Sequence, residues 1–479
     1  MSIKAEVINA LRWTAAGRFA GQLGSWAITI YVIRVLQPTE YGLMSMATVL
    51  MGFAMLVNEL GVIPALIQSR RMDDQLIRQL FGFVLISNSL AFFALFLLAP
   101  TLSGFFGEPR LTAVTRVLAG TVLIGCVSAI PTALLERSLQ FKGISLVEFL
   151  SMMLGSATTL VLAIHGFGVW SLVFSNIVAT TAKTVGILIV SEFRLLPLFR
   201  VTGLRQIFIF GANITGQRIL WYVNSSADVV LVGKLLGDHA LGIYSVAFQI
   251  ATLPVSKTFG IINRVAFPAY SRLQTDARQA TDYFVASVKL SWFVLCPILW
   301  GVSSVSRELV DVLMGHAWED ASIVLALVPL IVPFRVISLL MGPLTDGLGR
   351  PDIGLRNLLT FTVLLPLAIL TGVSWGLTGV CFALIIASIF ALAINFRRSF
   401  KLLGLHLGSL FGAVTPTATA AALMYASVWL VKDLVFAEAP PAWRLCVAIA
   451  TGLVVYVVIS FAVNRSAVDQ CLNLLRARA

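Results

Sequence analysis

Long apolar runs separated by short polar segments dominate the pattern of this chain. A helix needs about 20 apolar residues to cross the hydrocarbon core of a membrane. The runs that meet this requirement are each predicted to be a membrane-spanning helix: 13–36, 41–67, 80–106, 111–135, 145–165, 168–190, 207–233, 240–264, 284–305, 321–345, 354–374, 376–396, 407–431 and 442–463. The pattern therefore predicts an all-α polytopic membrane protein with about 14 transmembrane helices.

The composition agrees with that pattern. Hydrophobic residues make up 58% of the 479-residue chain and charged residues 12%, and the mean hydropathy is +0.94. A soluble chain of this length would need far more charge to cover its surface. The five cysteines and four histidines are scattered, which argues against a disulfide framework or a metal site. We therefore expect neither a metal nor a cofactor.

The distribution of Lys and Arg predicts the orientation of the spans. If the N-terminus is cytoplasmic, the cytoplasmic segments hold about three times as many Lys and Arg as the outer ones, as the positive-inside rule requires. Both termini are thus predicted to be cytoplasmic. The net charge of +12 is then explained by membrane topology, and we expect no nucleic-acid partner. Residues 194–206, RLLPLFRVTGLRQ, are either an amphipathic interfacial linker or an ordinary cytoplasmic loop.

The chain repeats itself at an offset of 200 residues. The segment VLQPTEYGLMSMA (35–47) corresponds to LLGDHALGIYSVA (235–247), and further upstream Arg18 corresponds to Arg218. Because the period contains six spans, both copies enter the membrane from the same side, which predicts two parallel lobes with substrate sites between them. The predicted domains are an N-terminal six-helix lobe (1–193), the linker (194–206), a C-terminal six-helix lobe (207–400), and two additional helices with a cytoplasmic tail (401–479).

The repeated segment itself is predicted to be an outer hairpin between two spans. Pro38 and Asp238 occupy the same place in their repeats, and both suit the start of a helix. Gly42 and Gly242 follow within the first turn, where close packing is expected. We expect the loop to bind nothing and to mark the register of the repeat.

Polar side chains recur at helical spacing on corresponding spans of the two lobes. Steps of three and four residues keep such groups on one helix face, and a polar face is costly in lipid. We expect this face to line a cavity, and interhelical hydrogen bonds between small polar residues are the alternative. The predicted lining residues are Gln22, Ser25, Tyr222, Ser225, Gln249, Thr252 and Asn263.

A few charges fall within the apolar spans, where a charge at the bilayer centre costs about 3 kcal/mol. The predicted topology places the cations near mid-membrane or in the cytoplasmic half, so we expect a cationic cavity that receives an anionic head group from the inner leaflet. The alternative is that each side chain snorkels to the cytoplasmic head groups. The candidate substrate-binding residues are Arg18, Lys183, Arg218, Lys257 and Arg335.

Two acids also fall within predicted spans. Glu59 either pairs with Arg18 or titrates as an ion-coupling site. Asp228 either couples transport to a cation or proton, or makes a fixed interhelical hydrogen bond.

Six segments, in matching order and spacing, carry a family resemblance: RVLQPTEYGLMSMATVLMGFAMLVNELGVIPALIQ (34–68), LLERSLQFKG (134–143), GFGVWSLV (166–173), DVVLVGKLLGDHALGIYSVAFQIATLPVS (228–256), RVAFPAYSRLQ (264–274) and GRPDIGLRN (349–357). They cover most of residues 10–400. The chain resembles the Wzx-type flippases of the polysaccharide transporter family, in the colanic-acid-exporter-like branch of the MOP (multidrug/oligosaccharidyl-lipid/polysaccharide) exporter superfamily.

This resemblance implies a MATE-like, V-shaped bundle of two six-helix lobes plus two C-terminal helices. It also implies a flippase that moves undecaprenyl-pyrophosphate-linked oligosaccharide from the cytoplasmic to the outer leaflet of the bacterial inner membrane, by alternating access, for exopolysaccharide, capsule or O-antigen (lipopolysaccharide) export. The implied partners are the lipid-linked oligosaccharide, membrane lipids, a polysaccharide polymerase with its chain-length machinery, and H⁺ or Na⁺ as coupling ion. The family pattern does not fix which arginines bind substrate.

Two other classes of function are weaker expectations. A membrane enzyme of glycan assembly would need a sizeable extracytoplasmic loop with clustered acids, bases or nucleophiles, whereas the predicted outer loops 306–320 and 432–441 are short. A small-molecule antiporter of the MATE type is the second alternative, but the drug antiporters favour buried acids over this excess of cations. We therefore expect a transporter and not an enzyme.

Overall fold

The computed structural model describes residues 24–59, 73–200, 205–273, 276–403, 407–435 and 438–476. Within these residues every regular element is a helix or helical turn, and no strand occurs. The prediction of an all-α protein is therefore confirmed. The chain divides into two compact units, unit 1 (Met1–Gly242) and unit 2 (Ile243–Ala479).

The described residues of unit 1 form six helices and the first part of a seventh. These are α1 (Gly24–Val35), α2 (Pro38–Glu59), α3 (Asp74–Phe106), α4 (Arg110–Arg137), α5 (Phe141–Ile164), α6 (Val169–Ser191) and the beginning of α7 (Arg205–Arg272). Inside α7, Gly237 has a φ of 83° and a ψ of −177°, which interrupts the helix. Glycine adopts this conformation without the steric cost that a side chain would add. The break falls between two spans that the sequence predicted as separate.

In unit 2, the part of the chain that the structure describes forms the rest of α7 and eight further α-helices. They are α8 (Ala277–Ser304), α9 (Ser306–Leu313), α10 (Ala321–Gly347), α11 (Pro351–Gly372), α12 (Gly376–Leu403), α13 (Leu407–Leu430), α14 (Pro441–Val463) and α15 (Arg465–Arg476). A π-helical turn, Val431–Val435, extends α13. The apolar pattern did not predict the two short helices α9 and α15, because neither is long enough to cross a membrane.

Local sequence explains several helix ends. Asp73 precedes α3, and its carboxylate accepts a hydrogen bond of 2.9 Å from the N–H of Leu76. Asp276 caps α8 in the same way through the N–H of Gln279, also at 2.9 Å. Such a cap satisfies a backbone donor that the helix itself leaves unpaired. α3 ends before Gly107, whose left-handed φ of 77° is typical of a helix C-terminus.

The helices have the length and composition of membrane spans. Within the described residues, 10 helical stretches are long and apolar enough to cross a membrane. Two of these, Arg218–Thr258 and Pro351–Ser399, have 41 and 49 residues, or about 60–70 Å at 1.5 Å per residue. The hydrocarbon core is about 30 Å thick, so each has the length for two crossings. The count of 14 spans stays a prediction.

The surface of both units is apolar. Leu97 and Ile189 in unit 1 are 72% and 71% exposed, and Leu453 in unit 2 is 68% exposed. A water-soluble protein does not expose so many large apolar side chains over a continuous surface. The chain is therefore a multi-pass membrane protein whose outer surface faces lipid.

Each unit has a packed interior of its own. In unit 2, Trp292 is almost fully buried, and its ring meets that of Phe334 edge to face with centroids 4.9 Å apart. In unit 1, α3 and α4 pack through a cluster of Ile77, Leu80, Phe81, Val84, Cys126, Ile130 and Ala133. Lipid tails are as apolar as these side chains, so close packing rather than exclusion of water stabilises such contacts.

Candidate functional site

The two copies of the repeated segment contact each other within unit 1. Gly42 lies against the carbonyl group of Asp238, and Gly242 lies against the carbonyl group of Pro38. At either glycine, a Cβ atom would overlap with that carbonyl oxygen, so only glycine permits this approach of the two backbones. Since the two contacts are equivalent under the 200-residue offset, the repeat forms a symmetric contact with itself.

The contact between α2 and α7 continues along α2. The hydroxyl of Tyr222 donates a hydrogen bond of 2.7 Å to the carbonyl of Val49, and the tip of its ring fills the space over Gly52. Tyr222 was predicted to line a cavity, and here it makes an interhelical hydrogen bond. We call this contact surface the glycine seam; it comprises Pro38, Gly42, Val49, Gly52, Tyr222, Asp238 and Gly242.

A cluster of ion pairs, the Arg110 clasp, lies at the end of the glycine seam. The Arg110 guanidinium is 2.8 Å from Glu108, 3.0 Å from Asp238 and 3.7 Å from Glu40. Glu40 also accepts a hydrogen bond of 2.7 Å from the N–H of Val169 at the start of α6. The hydrogen bond to Glu108 raises the pKa of Arg110, so the charge is permanent. The clasp thus links the ends of α2, α4, α6 and the first part of α7.

Arg335, a predicted site residue of unit 2, has aromatic neighbours. It lies near the middle of α10, half-buried. Its guanidinium carbon is 5.4 Å from the ring centre of Phe361 and 6.0 Å from that of Phe248, within the range of cation–π attraction. Among the described residues, no acidic side chain forms an ion pair with it. The two rings hold a cation whose N–H groups are available to an anion.

The other predicted cations are placed differently. Lys183 forms an exposed ion pair with Glu148 of α5, with 3.2 Å between the charged atoms. Lys257 is exposed, and Arg218 is half-buried and has interaction partners of its own. Lys183 and Arg218 belong to unit 1 and Lys257 to unit 2, and Arg18 lies outside the described residues.

The predicted lining residues bond mostly to the protein itself. The hydroxyls of Ser25 and Ser156 are 3.1 Å apart and join α1 to α5. Ser225 and Thr252 each donate to a carbonyl of their own helix, at 3.1 Å and 2.8 Å. Gln249 has an exposed side chain. Of the other predicted lining residues, Gln22 and the side chain of Asn263 lie outside the part of the chain that the structure describes.

The two predicted coupling acids are only partly described. Asp228 is 6% exposed, and its carboxylate accepts a hydrogen bond of 2.9 Å from the N–H of Val229. A buried carboxylate that accepts hydrogen bonds fits a fixed structural role as well as ion coupling. The side chain of Glu59 lies outside the described residues.

A second ion cluster, the Glu308 network, lies in unit 2 and was not predicted. The Glu308 side chain is 3% exposed and lies 3.2 Å from Lys432 and 3.4 Å from Arg444. Lys432 also donates to the carbonyl of Ser304 at 3.0 Å, and Arg444 lies 3.4 Å from Asp433. The network therefore fixes the connection between α13 and α14 against α8 and α9.

Sequence reasoning missed both ion clusters for the same reason. Glu40 and Asp238 lie in the two copies of the repeated segment, which was predicted to be a loop that binds nothing. Arg110 and Glu308 lie in other segments that were predicted to be short loops. One signal was available: acids and arginines in short outer loops are few in this chain, so their mutual pairing could have been considered.

Comparison with known proteins identifies relatives across most of the chain. Residues 31–323 match the family model described as "Polysaccharide biosynthesis protein". The chain is 26% identical to the teichuronic acid biosynthesis protein TuaB of Bacillus subtilis (strain 168), over 74% of this chain and 73% of that one. It is 23% identical to the succinoglycan biosynthesis transport protein ExoT of Rhizobium meliloti (strain 1021), over 97% and 95%. The lipopolysaccharide biosynthesis protein WzxC of Escherichia coli (strain K12) is 23% identical over 81% and 80%.

Solved structures show the same fold. The lipid II flippase MurJ in its inward closed conformation superposes with a TM-score of 0.75 at 13% identity, over 94% of this chain and 99% of that one. An inward-facing MATE transporter of the MOP superfamily superposes with a TM-score of 0.62 at 14% identity, over 79% and 95%. These likenesses show the fold. Together with the family match and the curated relatives, they bear out the prediction of a transporter rather than an enzyme.

The fold is thus that of the MOP transporters, and the family model covers more than half of the chain. The predicted resemblance to Wzx-type proteins is confirmed. The chain belongs to the polysaccharide biosynthesis protein family.

Proposed function

We propose that this protein is a flippase that moves an undecaprenyl-pyrophosphate-linked oligosaccharide from the cytoplasmic to the outer leaflet of a bacterial inner membrane, for exopolysaccharide, capsule or O-antigen export. Its family supports a role in polysaccharide biosynthesis. Relatives named for teichuronic acid, succinoglycan and lipopolysaccharide biosynthesis support export of a polymer. The fold shared with a lipid II flippase supports a lipid-linked substrate.

The observation that carries this proposal is Arg335. A cation near the middle of a membrane span costs about 3 kcal/mol, and such a residue persists where it serves a function. Phe248 and Phe361 lie within cation–π distance of the guanidinium, and a guanidinium carries five N–H donors that a ligand can use. A planar guanidinium binds phosphate oxygens through two parallel hydrogen bonds. An anionic pyrophosphate head group matches this donor better than a neutral sugar or a cationic drug does.

The remaining cations are ranked by their surroundings. Arg18 and Arg218 stay in the proposed site because they occupy corresponding places in the repeat. Lys183 is less favoured, because Glu148 already compensates its charge. Lys257 is exposed and is placed in the proposed site as an entry contact for the head group.

Alternating access requires one end of the protein to be closed while the other is open. The glycine seam closes α2 against α7 at the end where the α1–α2 hairpin lies, which is the predicted outer end. We infer that this seam separates when the substrate is released outward. H⁺ or Na⁺ is proposed as the coupling ion, with Asp228 and Glu59 as the acids to test.

Deletion of the gene in its native bacterium tests the proposed function. Lipid-linked oligosaccharide is expected to accumulate on the cytoplasmic side, and polymer export is expected to stop. Unchanged export, or no accumulation of the intermediate, would contradict the flippase proposal.

Complementation of this deletion then tests the site. Arg335→Gln should lower export at least about tenfold, since loss of one charge-assisted hydrogen-bond donor costs about 1.5–3 kcal/mol. Lys289→Gln is the matched control, because Lys289 is also a cation in a span but donates to Ser466 at 2.8 Å. Equal export by the two variants at equal membrane levels would remove Arg335 from the site.

A further inference from the structure

Residues 193–200, here called the strap, follow α6 without helical structure and are fixed to the first turns of α3. The N–H of Leu198 donates to the carbonyl of Arg78 at 2.8 Å, and Nε of Arg78 donates to the carbonyl of Leu196 at 2.9 Å. A Cβ at Gly82 would lie 2.5 Å from the carbonyl oxygen of Leu198. These contacts fix the position of the strap on α3. A loop that is only solvated would not make them.

One side of the strap faces the interior of unit 1. Phe193 and Leu195 pack against the cluster that joins α3 and α4. The Phe193 ring meets Phe81 edge to face, with centroids 5.4 Å apart. Since successive side chains of an extended segment point to opposite sides, the residues next to these two are directed outward.

The outward side combines apolar and cationic groups. Leu196 and Phe199 are 72% and 64% exposed, and Arg194 and Arg200 are exposed beside them. The acid Glu192 precedes the strap, and Asp73 and Asp74 are exposed at the start of α3. Within the strap itself both charged residues are cations. Exposure of two large apolar side chains to water on a fixed loop would be unfavourable.

The turn after α4 presents the same combination. Leu139 has a φ of 59° and is 74% exposed. Residues other than glycine rarely adopt this left-handed backbone conformation. Phe141 is 52% exposed, and Lys142 is exposed next to it. Unit 1 therefore carries two segments with exposed apolar residues flanked by cations.

The length of α3 places the strap at the level of the lipid head groups. α3 has 33 residues, or about 50 Å, against a hydrocarbon core of about 30 Å. Its first turns, which hold Arg78 and the strap, therefore extend beyond the hydrocarbon core. The distribution of Lys and Arg predicts this end to be cytoplasmic.

We propose that the strap and the turn at 138–142 form a binding site for anionic phospholipids of the cytoplasmic leaflet. Leu196, Phe199, Leu139 and Phe141 enter the boundary between head groups and acyl chains, where apolar side chains beside cations are stable. Arg194, Arg200 and Lys142 contact the lipid phosphates. This site binds bulk membrane lipid and does not depend on the proposed flippase activity.

Native mass spectrometry of the full-length protein in neutral detergent tests the site, with phosphatidylglycerol and phosphatidylcholine of identical acyl chains as probes. Wild type should retain phosphatidylglycerol in preference to phosphatidylcholine. Arg194→Gln with Arg200→Gln should lower the affinity for phosphatidylglycerol about 25-fold, since each basic residue near an anionic surface contributes about fivefold. Arg194→Lys with Arg200→Lys should retain most of the preference. The proposal is overturned if wild type retains the two lipids equally. It is also overturned if the Arg194→Gln, Arg200→Gln variant retains phosphatidylglycerol as well as wild type does.

A charge-matched control and a depth measurement complete the test. Arg116→Gln with Arg307→Gln removes the same charge from the predicted outer end and should leave the preference unchanged. A fluorophore attached at Phe199→Cys, in a background where Cys446 is replaced by Ser, should be quenched by lipids carrying a nitroxide at the head group. A label that these nitroxides do not quench would show that position 199 does not lie among the lipid head groups, and it would overturn the lipid site.

Discussion

The Arg110 clasp in unit 1 and the Glu308 network in unit 2 use the same chemistry in opposite surroundings. Arg110 is 50% exposed and shares one positive charge among three acids. Glu308 is 3% exposed and shares one negative charge between two cations. An exposed ion pair contributes about 0–1 kcal/mol, whereas removing one member of a buried pair costs about 3–5 kcal/mol. Burial, and not the number of ion pairs, therefore separates the two clusters energetically.

This difference assigns different roles to the two clusters. Ion pairs that water can reach break and form again at little cost, as a contact that opens during transport requires. A buried network must stay intact, because each separated charge would be left without compensation. We infer that the glycine seam with its clasp separates during the transport cycle and that α13 and α14 stay fixed to α8 and α9.

The largest effect is expected for Glu308→Gln. This change leaves Lys432 and Arg444 without their shared anion, so the free energy of unfolding should fall by about 3–5 kcal/mol. Thermal or denaturant unfolding of the purified protein measures it. Asp311→Asn is the control, because Asp311 is an exposed acid of the same short helix. Equal stability of the two variants would show that the network does not fix the C-terminal helices.

Removal of the whole network sharpens the same test. When Glu308, Lys432 and Arg444 are all replaced by Leu, the one charge of the network that loses its partner is Asp433, whose side chain is 37% exposed to solvent. Replacing a buried ion cluster by apolar residues is often neutral. The triple variant should therefore be more stable than Glu308→Gln. A triple variant less stable than the single one would mean that the ion pairs themselves supply net stability.

A smaller effect is expected for Gly42→Leu in the glycine seam. The new side chain would overlap with the backbone at Asp238, and overpacking of about 1–3 kcal/mol lowers the population of the closed seam about 5- to 150-fold. Polysaccharide export should fall accordingly while the protein still inserts in the membrane. Gly104→Leu is the control, because the space around Gly104 is open. Wild-type export by Gly42→Leu would show that the seam does not close in the cycle.

The spans could be predicted from the sequence because the membrane imposes a simple rule on the apolar pattern. The predicted span 111–135 corresponds to α4 (Arg110–Arg137), and the predicted span 321–345 corresponds to α10 (Ala321–Gly347). Lipid forces each helix to bond its own backbone and to be apolar over about 20 residues. The short helices α9 and α15 escaped this rule because the membrane does not dictate their composition.

The surroundings of each charge could not be predicted in the same way. Arg335 was identified as a cation in a span, but its aromatic partners, Phe248 and Phe361, are distant in sequence and indistinguishable there from other phenylalanines. The pairing of Lys183 with Glu148 likewise depends on how two helices are rotated. Gly42 and Gly242 were expected to pack closely, and the repeat alone did not reveal that they pack against each other's segments.

The smallest effect is expected for Arg110→Gln in the clasp. Loss of these exposed ion pairs should shift the free energy of seam opening by at most about 1 kcal/mol, which raises the population of the open seam about fivefold. Met46 is 1% exposed and lies in the same contact, because a Cβ on Gly233 would be 3.4 Å from its Cε. In a Met46→Cys background in which Cys446 and Cys471 are replaced by Ser, Arg110→Gln should therefore raise the rate of labelling by a water-soluble maleimide about two- to fivefold. Arg116→Gln, which removes a half-buried arginine of the same helix that lies over the Phe96 ring, should not raise it.

Salt separates this prediction from a simple loss of packing. At about 1 M salt the screening length falls to about 3 Å, so wild type should approach the labelling rate of Arg110→Gln. The Glu308 side chain is 3% exposed, and buried ion pairs are screened much less than exposed ones. The Glu308 network should therefore not weaken at high salt. At the same salt concentration, the free energy of unfolding of wild type should therefore not fall as it does in Glu308→Gln. If salt leaves the labelling rate unchanged, the clasp does not hold the seam electrostatically, and the close contact of Gly42 and Gly242 alone keeps it closed.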